Sequence, residues 1–362
     1  CNVYRSFDED KYKKYIMKIL INTPNIHGLG GVSNHYFGLS PYWSQNVLYN
    51  SLGSKRWRAI LTPITVLKFI YRLIFFRPDI ILLNPSLGNK ALIRDFFYLK
   101  LAKLFYRKVA IFIHGFNWEY ANNADWKWII DNLNLADCVI VLAQSFKNEL
   151  IRRGVTTRLF LSTTKVKDTL VEEFDIVKRT GRIKNLLFLS RIERTKGVYE
   201  LVDTYKILKS KYGDLTLTFV GDGSELLALK QYVEENELSD VRFAGGLIGD
   251  ALKIEYEKAD FFLFFSYGEG MPTVVLEAMA FGLPVVTRAV GGLCDFFEDG
   301  KMGRITNSMN PMDYAKMIIP FLENAELTKS VSLYNYQYAK EHFMASQVAL
   351  SIENQLKQLV NT

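Results

Sequence analysis

Short apolar runs alternate with segments of helical periodicity along most of the chain, and this alternation restricts the fold more than any other feature. The runs are rich in β-branched residues and are apolar at consecutive positions. Strands of this kind are typical of parallel sheets that are covered by helices on both faces. The pattern therefore predicts an α/β fold built from βαβ units. The predicted strands are Lys18–Asn22, Asp79–Asn84, Val109–His114, Cys138–Leu142, Asn185–Ser190, Leu215–Gly221, Val241–Gly245, Phe261–Ser266 and Pro284–Thr287.

Two domains are expected from the length of the chain. Its 362 residues exceed one ordinary core and indicate two units of roughly 150–200 residues each. The alternation of strands and helices runs twice, and a polar, weakly patterned stretch separates the two series. We predict an N-terminal extension at 1–16, a first domain at 17–165, a linker at 166–184, a second domain at 185–334 and a C-terminal helical segment at 335–362.

Charge is distributed unevenly between the two halves. Residues 1–165 contain 23 Lys/Arg and 10 Asp/Glu, a net charge of +13, whereas residues 166–362 contain 22 and 28, a net charge of −6. No acidic residue occurs between Lys11 and Pro78. A basic half beside an acidic half indicates different partners, one of them anionic. A solubilising surface, or a charge balance between the two domains, is the other interpretation.

Cysteine usage and hydropathy exclude several classes of protein. Cys1, Cys138 and Cys294 are far apart and odd in number, so they predict neither a disulfide framework nor a zinc site, and a reducing compartment is expected. The most apolar stretch, 59–76, is interrupted by polar and charged residues, which disfavours a membrane span. We find no signal-peptide pattern and expect a cytoplasmic protein.

A glycine-rich loop follows the first predicted strand. Gly28, Gly30 and Gly31 precede a helix, where glycine lets the backbone approach a phosphate or a sugar. The loop imitates a dinucleotide fingerprint, but no acidic residue lies about 20 positions further on to hold the ribose. This absence disfavours a doubly wound dehydrogenase. A plain turn between strand and helix is the alternative interpretation.

Polar residues also follow later strands. His114 ends the third apolar run of the first half, where it can donate to a sugar hydroxyl or a phosphate, or can simply pack. Arg191 and Lys196 follow the first strand of the second half, and two cations there can neutralise a diphosphate leaving group without a metal. A solvated charged turn is the alternative. Gly221 begins a tight turn after the next strand.

The most informative segment runs from Glu269 to Gly282. Its flexible glycine loop leads into a helix whose N-terminus is suited to phosphate and sugar oxygens. Glu269 lies in the loop, and Glu277 lies eight residues further on in an otherwise apolar helix. Two carboxylates in these places predict two tasks, one on sugar hydroxyls and one on ribose hydroxyls. A surface glutamate on a core helix is the alternative for Glu277.

Together these residues resemble the group-one family of retaining glycosyltransferases, of the GT-B fold, over residues 17–360. The resemblance implies two facing Rossmann-like domains, a deep cleft between them and a C-terminal helix that crosses back to the first domain. It also implies a Glu-x7-Glu motif in which Glu269 binds the transferred sugar and Glu277 the ribose. The catalytic residues predicted in this way are His114, Arg191, Lys196 and Glu269. The predicted donor-binding residues are Gly30, Gly31, Gly221, Gly270, Met271, Pro272, Thr273 and Glu277.

The sequence departs from the family pattern at three places. Ser190 stands where the family usually has glycine. Asp295 stands where a glutamate is usual, so a role for this shorter carboxylate in the site is in doubt. Residues 162–164, Ser-Thr-Thr, replace an Asn-Gly turn at the domain junction, which leaves the junction geometry open.

The resemblance implies transfer of a sugar from a UDP- or GDP-sugar to a glycan or lipid-linked acceptor, with retention, in cell-surface polysaccharide biosynthesis. We expect no cofactor, no metal and no nucleic-acid partner, since the one acidic triplet, 8–10, lies outside any strand–helix junction. A non-catalytic nucleotide-sugar-binding protein remains the alternative. Cations among aromatic and apolar residues at 55–58, with Lys68 and Arg72, further predict peripheral contact with an anionic membrane at its inner face.

Overall fold

The protein consists of two α/β domains, each formed around a parallel six-stranded sheet. The structure is a computed structural model and describes residues 15–28, 30–52 and 58–360. The predicted α/β fold class is confirmed. The first sheet contains β1 (Lys18–Thr23), β2 (Asn46–Ser51), β3 (Ile80–Leu83), β4 (Lys108–Ile113), β5 (Cys138–Val141) and β6 (Arg158–Leu161). The second contains β7 (Asn185–Leu189), β8 (Thr216–Val220), β9 (Val241–Phe243), β10 (Phe261–Phe264), β11 (Val285–Arg288) and β12 (Gly303–Thr306).

Helices cover both sheets. Those of the first half are α1 (Gly31–Leu39), α2 (Arg58–Phe75), α3 (Asn89–Leu104), α4 (Trp118–Asn123), α5 (Trp126–Leu133) and α6 (Gln144–Arg153). Those of the second half are α7 (Asp168–Val171), α8 (Val198–Lys211), α9 (Leu226–Glu235), α10 (Gly249–Lys258), α11 (Thr273–Ala280), α12 (Leu293–Phe296), α13 (Pro311–Glu323), α14 (Ala325–His342) and α15 (Ala345–Val360). None of the helices in the described part is long and apolar enough to cross a membrane.

Strand order decides where each sheet can bind a ligand. The first sheet has the order β2-β1-β3-β4-β5-β6 and the second has β12-β11-β10-β7-β8-β9. The direction of winding therefore reverses between β1 and β3 in the first domain, and between β7 and β10 in the second. In open parallel sheets, ligands bind outside the carboxyl ends of the strands at such a reversal. Each domain thus has one favoured edge for a site.

Three strands were missed by the sequence prediction: β2, β6 and β12. All three lie at the edges of their sheets. An edge strand is covered less completely than an inner one, so it lacks a continuous apolar run. The side chains of β2 and β6 are mostly half-buried or exposed, whereas all four residues of β3 and of β5 are buried.

The predicted linker at 166–184 is instead a part of the second domain. Val166, Val171, Phe174 and Ile183 are buried in its hydrophobic core. Arg179 is also buried and donates to the carbonyl oxygens of neighbouring helices, among them that of Phe281 at 3.0 Å. The apolar residues of this segment are separated by polar ones, so their pattern predicted no regular structure. Every few residues, however, one of them is buried in the core of the second domain.

The chain crosses back to the first domain later than predicted. Residues 335–342 belong to α14, which packs on the second domain, and the change of partner occurs between Met344 and Ala345. From there α15 buries Ala345, Val348, Ile352 and Leu356 in the first core. The two crossings of the chain lie side by side, because Val166 N donates to Phe343 O at 2.7 Å and Ala345 N donates to Val166 O at 2.8 Å.

A buried carboxylate fixes the last helix to the first domain. Glu353 is fully buried and accepts from the backbone N–H groups of Ser44 at 2.7 Å and Gln45 at 3.0 Å. A buried charge is stable only when it is hydrogen-bonded in this way. The contact therefore specifies where α15 docks, in addition to its apolar face.

Candidate active site

An ion pair lies at the strand-order reversal of the second domain. Lys196 follows β7 and Glu269 follows β10, and these are the neighbouring strands between which the winding reverses. Lys196 Nζ lies 2.5 Å from Glu269 Oε1, and the side chains are 11% and 19% exposed. Ser266 Oγ donates to the same carboxylate oxygen at 2.8 Å. The structure thus brings together two residues that the sequence predicted for one site.

Glycine is required for the local backbone that presents Lys196. A 3-10 helix at Arg194–Lys196 ends at Gly197, which has a φ of 70°. A Cβ at Gly197 would lie 2.4 Å from Phe265 O, in the loop that follows β10. The close approach of the two loops places Lys196 beside Glu269, and a side chain at position 197 would push the loops apart.

A cleft with a volume of about 610 Å³ lies between the domains at this ion pair. Gly270 closes one side of it, because a Cβ there would lie 3.2 Å from the backbone oxygen of His114 in the first domain. The described lining from the first domain comprises Ser86, Leu87, Gly115, Phe116, Asn117 and Trp118, and that from the second comprises Arg191, Lys196, Tyr267, Gly268, Glu269, Gly270, Ala289, Val290 and Gly291.

Arg191 lines the cleft and is paired with Glu193. Its side chain is 71% exposed, and Nη1 lies 2.6 Å from Glu193 Oε1. Each of the two predicted cations is thus paired with a glutamate, Arg191 with Glu193 and Lys196 with Glu269. Because Arg191 is a long and exposed side chain, it can turn into the cleft by exchanging one solvated partner for another.

His114 lies at the end of β4, as predicted, and is neutral. Its Nε2 lies 3.0 Å from Asn84 Oδ1, and its ring stacks on Phe112 at 4.1 Å between centroids. Burial lowers the pKa of His114 to about 3. Since Asn84 Oδ1 accepts, Nε2 carries the hydrogen, and the side chain is held by Asn84 rather than directed freely at the cleft.

The helices that follow β1 and β10, α1 and α11, begin without a cap from any described side chain. Gly30, with a φ of 130°, precedes α1, and no described side chain caps that helix or α11, which Pro272 precedes. A Cβ at Gly30 or Gly31 would meet no described atom within 4 Å, so the space there is open. Free N–H groups at a helix start favour anionic ligands.

Glu277 lies one turn after the first residue of α11 and is 9% exposed. Its Oε2 accepts from Tyr256 Oη at 2.9 Å. Burial raises the pKa of Glu277, and the positive charge of Lys165 opposes the rise. The carboxylate is therefore held at a fixed place on the helix, with a cation nearby. It is neither a solvated surface glutamate nor an ordinary core residue.

The remaining predicted donor-binding residues are explained in part by packing. A Cβ at Gly221 would lie 1.9 Å from Ser190 O, so glycine is needed there for the strand ends to approach. Met271 contacts both hydrophobic cores. Pro272 is buried, and Thr273 Oγ1 lies 3.0 Å from Thr164 Oγ1 of the junction segment. Their contact with a donor stays a prediction.

Asp295 has a task that the sequence did not indicate. Its Oδ2 accepts from Gln144 N, the first N–H group of α6 in the first domain, at 2.6 Å. No described side chain from the first domain caps this helix. A carboxylate of one domain therefore caps a helix of the other, and Asp295 joins the domains beside the cleft.

Contacts made only in the folded protein account for the other residues that sequence reasoning missed. Asn84 holds His114, Ser266 holds Glu269, and Lys165 lies close enough to Glu277 to affect its pKa. Asn84 and Ser266 end predicted strands, which was a usable signal. Lys165 had no such signal in the sequence.

Within the described ranges no cluster of three His, Cys, Asp or Glu could hold a metal. The acidic triplet at 8–10 and residues 55–57 of the predicted membrane-contact segment 55–58 lie outside those ranges.

Two family models match the chain. Residues 172–338 match the model of glycosyl transferases group 1. Residues 77–163 match the model of the glucosyltransferase 3-like N-terminal domain. The first of these matches covers most of the second domain, which is therefore similar to the group 1 glycosyltransferases.

Curated relatives match over part of their length. D-inositol 3-phosphate glycosyltransferase of Paenarthrobacter aurescens is 27% identical over 175 residues, which cover 47% of this chain and 43% of that protein. Alpha-monoglucosyldiacylglycerol synthase of Acholeplasma laidlawii is 24% identical over 239 residues, which cover 64% and 58%. The chain spans about half the length of the curated relatives it matches.

Solved structures match over nearly the whole chain and share its GT-B fold. Sucrose-phosphate synthase from Thermosynechococcus elongatus superimposes with a TM-score of 0.75 at 18% identity, covering 95% of this chain and 99% of that one. HepE of Anabaena, in complex with UDP and glucose, superimposes with a TM-score of 0.72 at 18% identity, covering 94% and 100%. At this identity the likeness concerns the fold alone.

Proposed function

We propose that this protein is a retaining, metal-independent glycosyltransferase that moves a hexosyl group from a UDP- or GDP-sugar to a glycan or lipid-linked acceptor. The observation that carries the proposal is the ion pair of Lys196 and Glu269. It lies where the strand order of the second domain reverses, inside a cleft that residues of both domains line. A site of this kind is suited to bringing a donor and an acceptor together.

Charge on the leaving group sets the main requirement of the reaction. Breaking the bond to the sugar places negative charge on the departing diphosphate, and fixed positive groups lower the energy of that state. Lys196 would exchange Glu269 for a phosphate oxygen, and Arg191 would turn from Glu193 to the same group. The uncapped start of α11 adds its N–H groups. Two cations and a helix start can then supply the charge that a metal supplies elsewhere.

Retention of the anomeric configuration is supported by the side chains that line the cleft, where the sugar would bind. Glu269 is the one carboxylate among the described residues that line the cleft. Once Lys196 binds the diphosphate, Glu269 can accept from sugar hydroxyls, the task that the sequence predicted for it. The acceptor oxygen then attacks on the face from which the diphosphate leaves, and the departing phosphate oxygen takes its proton. The new bond keeps the configuration of the old one.

The first-domain side of the cleft suits a sugar acceptor. Phe116 and Trp118 line it, and Phe116 stacks on Phe146 at 4.6 Å between centroids. Asn117 lies between them and adds an amide. Aromatic faces beside a hydrogen-bonding group can hold the apolar and polar sides of a sugar ring.

A lipid-linked acceptor would bring the protein to a membrane, and we assign this contact to α2 and α3. Ile64, Leu67, Tyr71 and Phe75 follow one another at three- or four-residue intervals on α2 and are at least 45% exposed. Ile93, Phe97 and Leu104 on the adjacent α3 are exposed as well. Lys68 and Lys100 lie among them. Apolar side chains with surrounding cations suit an anionic leaflet, here the inner face of the cell membrane.

The test is a transfer assay with a panel of UDP- and GDP-sugars, with and without excess EDTA. We expect the donor to be consumed in both conditions, slowly by water when no acceptor is supplied. Proton NMR of the first product should show the anomeric configuration of the donor. Inactivation by EDTA that magnesium or manganese reverses would refute metal independence, and an inverted product would refute retention. Binding without any turnover would favour a non-catalytic nucleotide-sugar-binding protein.

A further inference from the structure

Lys165 is a buried lysine at the junction between the two domains. It follows β6, its side chain is fully buried, and its ammonium has no hydrogen-bond partner among the described residues. The side chain lies against Gly38 of α1, where a Cβ would lie 2.2 Å from Lys165 Cε. The first helix of the first domain is thus shaped to leave room for this lysine.

The surroundings of Lys165 contain residues that we assign to donor binding. The preceding residue, Thr164, contacts Thr273, the first residue of α11. Glu277, one turn further along α11, is near enough for its charge to raise the pKa of Lys165, although burial dominates and lowers that pKa to about 8. Lys165 is also near enough for its charge to lower the pKa of His35, whose two ring nitrogens lack partners among the described residues.

A structural task does not account for this lysine. A buried charge without a partner is costly, whereas methionine or leucine would fill the same space without that cost. Removing the charge should therefore leave the fold as stable as before, or more stable. An ammonium in such a place is explained when its partner is an anion that binds from outside.

We propose that Lys165 is a donor-binding residue whose ammonium binds a phosphate oxygen of the nucleoside diphosphate, between Glu277 and the start of α11. This assignment rests on the proposed function. It adds a third cation to Arg191 and Lys196, and it differs from them because it comes from the junction segment rather than from the second sheet. Since Lys165 lies against α1, the diphosphate would connect the first domain to the second.

The experiment compares Lys165→Met with Lys178→Met, which removes one positive charge from an exposed site. Calorimetry measures the affinity for UDP, GDP and the nucleosides uridine and guanosine. Loss of a hydrogen bond to a charged group predicts about 10- to 100-fold weaker binding of the preferred diphosphate to Lys165→Met. The affinity of Lys165→Met for nucleosides should equal that of the wild type, and its unfolding temperature without ligand should equal or exceed the wild-type value. Lys178→Met should match the wild type in its affinities and in its unfolding temperature.

A second variant, Gly38→Ala, keeps the charge of Lys165 but displaces its ammonium group. Gly38→Ala places a Cβ where Lys165 Cε lies and should weaken diphosphate binding in the same direction. Unchanged diphosphate affinity in Lys165→Met, or a lowered unfolding temperature with unchanged affinity, overturns the assignment and leaves the proposed function intact. If the wild type binds no nucleoside diphosphate, the proposed function and the assignment are both overturned.

Discussion

Lys196 and Glu269 neutralise each other, and in the proposed reaction both have to exchange this contact for atoms of the donor. A pair that is mostly shielded from water is held more firmly than one at the surface, so the exchange has to be matched by stronger contacts. The diphosphate supplies these for Lys196, and the sugar hydroxyls supply them for Glu269. Binding of the complete donor is therefore expected to be favoured over binding of either part.

Substitution of Glu277 and substitution of Glu269 are expected to affect different steps, the first nucleotide binding and the second turnover. Glu277→Gln should weaken nucleotide binding about 10-fold, since a charged acceptor of hydrogen bonds from the ribose becomes a neutral one. Glu269→Gln should mainly lower kcat, because its contacts are with the sugar. Calorimetry with UDP and GDP and steady-state kinetics separate the two effects. Nucleotide affinity unchanged in Glu277→Gln would show that the roles are wrongly assigned.

At the scale of helices, strands and loops, the sequence predicted every inner strand of the two sheets but, among the edge strands, only β9. The inner strands β3, β5 and β10 are continuous apolar runs and were predicted, whereas the edge strands β2, β6 and β12 were not. Lys196 and Glu269 were found because each follows a predicted strand. Lys165 could not be predicted as a site residue, because it comes near Gly38 and Glu277 only in the folded protein. Both residues lie more than a hundred residues away from it in the sequence.

The loop at Gly197 should tolerate no side chain. Gly197→Ala would combine a φ of 70° with a Cβ that lies 2.4 Å from Phe265 O. We expect the free energy of unfolding to fall by more than about 1 kcal/mol and the activity to fall with it, because Lys196 is displaced. Urea unfolding and the transfer assay measure the two. The control is Gly213→Ala, where a Cβ meets no described atom within 4 Å. Equal effects at both positions would contradict this explanation.

The apolar stripe on α2 should determine binding to vesicles. Leu67→Glu with Tyr71→Glu should abolish flotation with anionic vesicles at low salt, because it removes apolar contacts and adds repulsion. Neutralising Lys55, Arg56 and Arg58 should weaken it, and nucleotide affinity should be unchanged in both cases. Leu227→Glu on the second domain, where the side chain is 80% exposed, is the control. Wild-type flotation that ignores lipid charge and salt would count against the membrane contact.

At the scale of the whole molecule, two buried histidines should make stability depend on pH. Burial holds the pKa of His114 at about 3 and that of His35 well below its usual range. In the unfolded chain both titrate near about 6.5. Between these values only the unfolded state binds the protons, so the free energy of unfolding falls as the pH falls below about 6.5. Each histidine adds up to about 1.4 kcal/mol per pH unit.

Urea unfolding between neutral and mildly acidic pH tests this expectation. His35→Phe keeps an aromatic ring beside Phe112 and His114 but removes one titrating group, so the decline should become less steep. The exposed His342, changed to Gln, serves as the control. A decline of equal slope in His35→Phe and in the wild type would exclude His35 as a cause.

The docking of α15 has a consequence for synthesis. The first core lacks Ala345, Val348, Ile352 and Leu356 until the ribosome has translated the whole second domain. The domain that is made first is therefore the one that is completed last, and its unfilled groove stays open to water and to chaperones meanwhile. A nascent chain interrupted before position 345 would carry a finished second domain beside an unfinished first one.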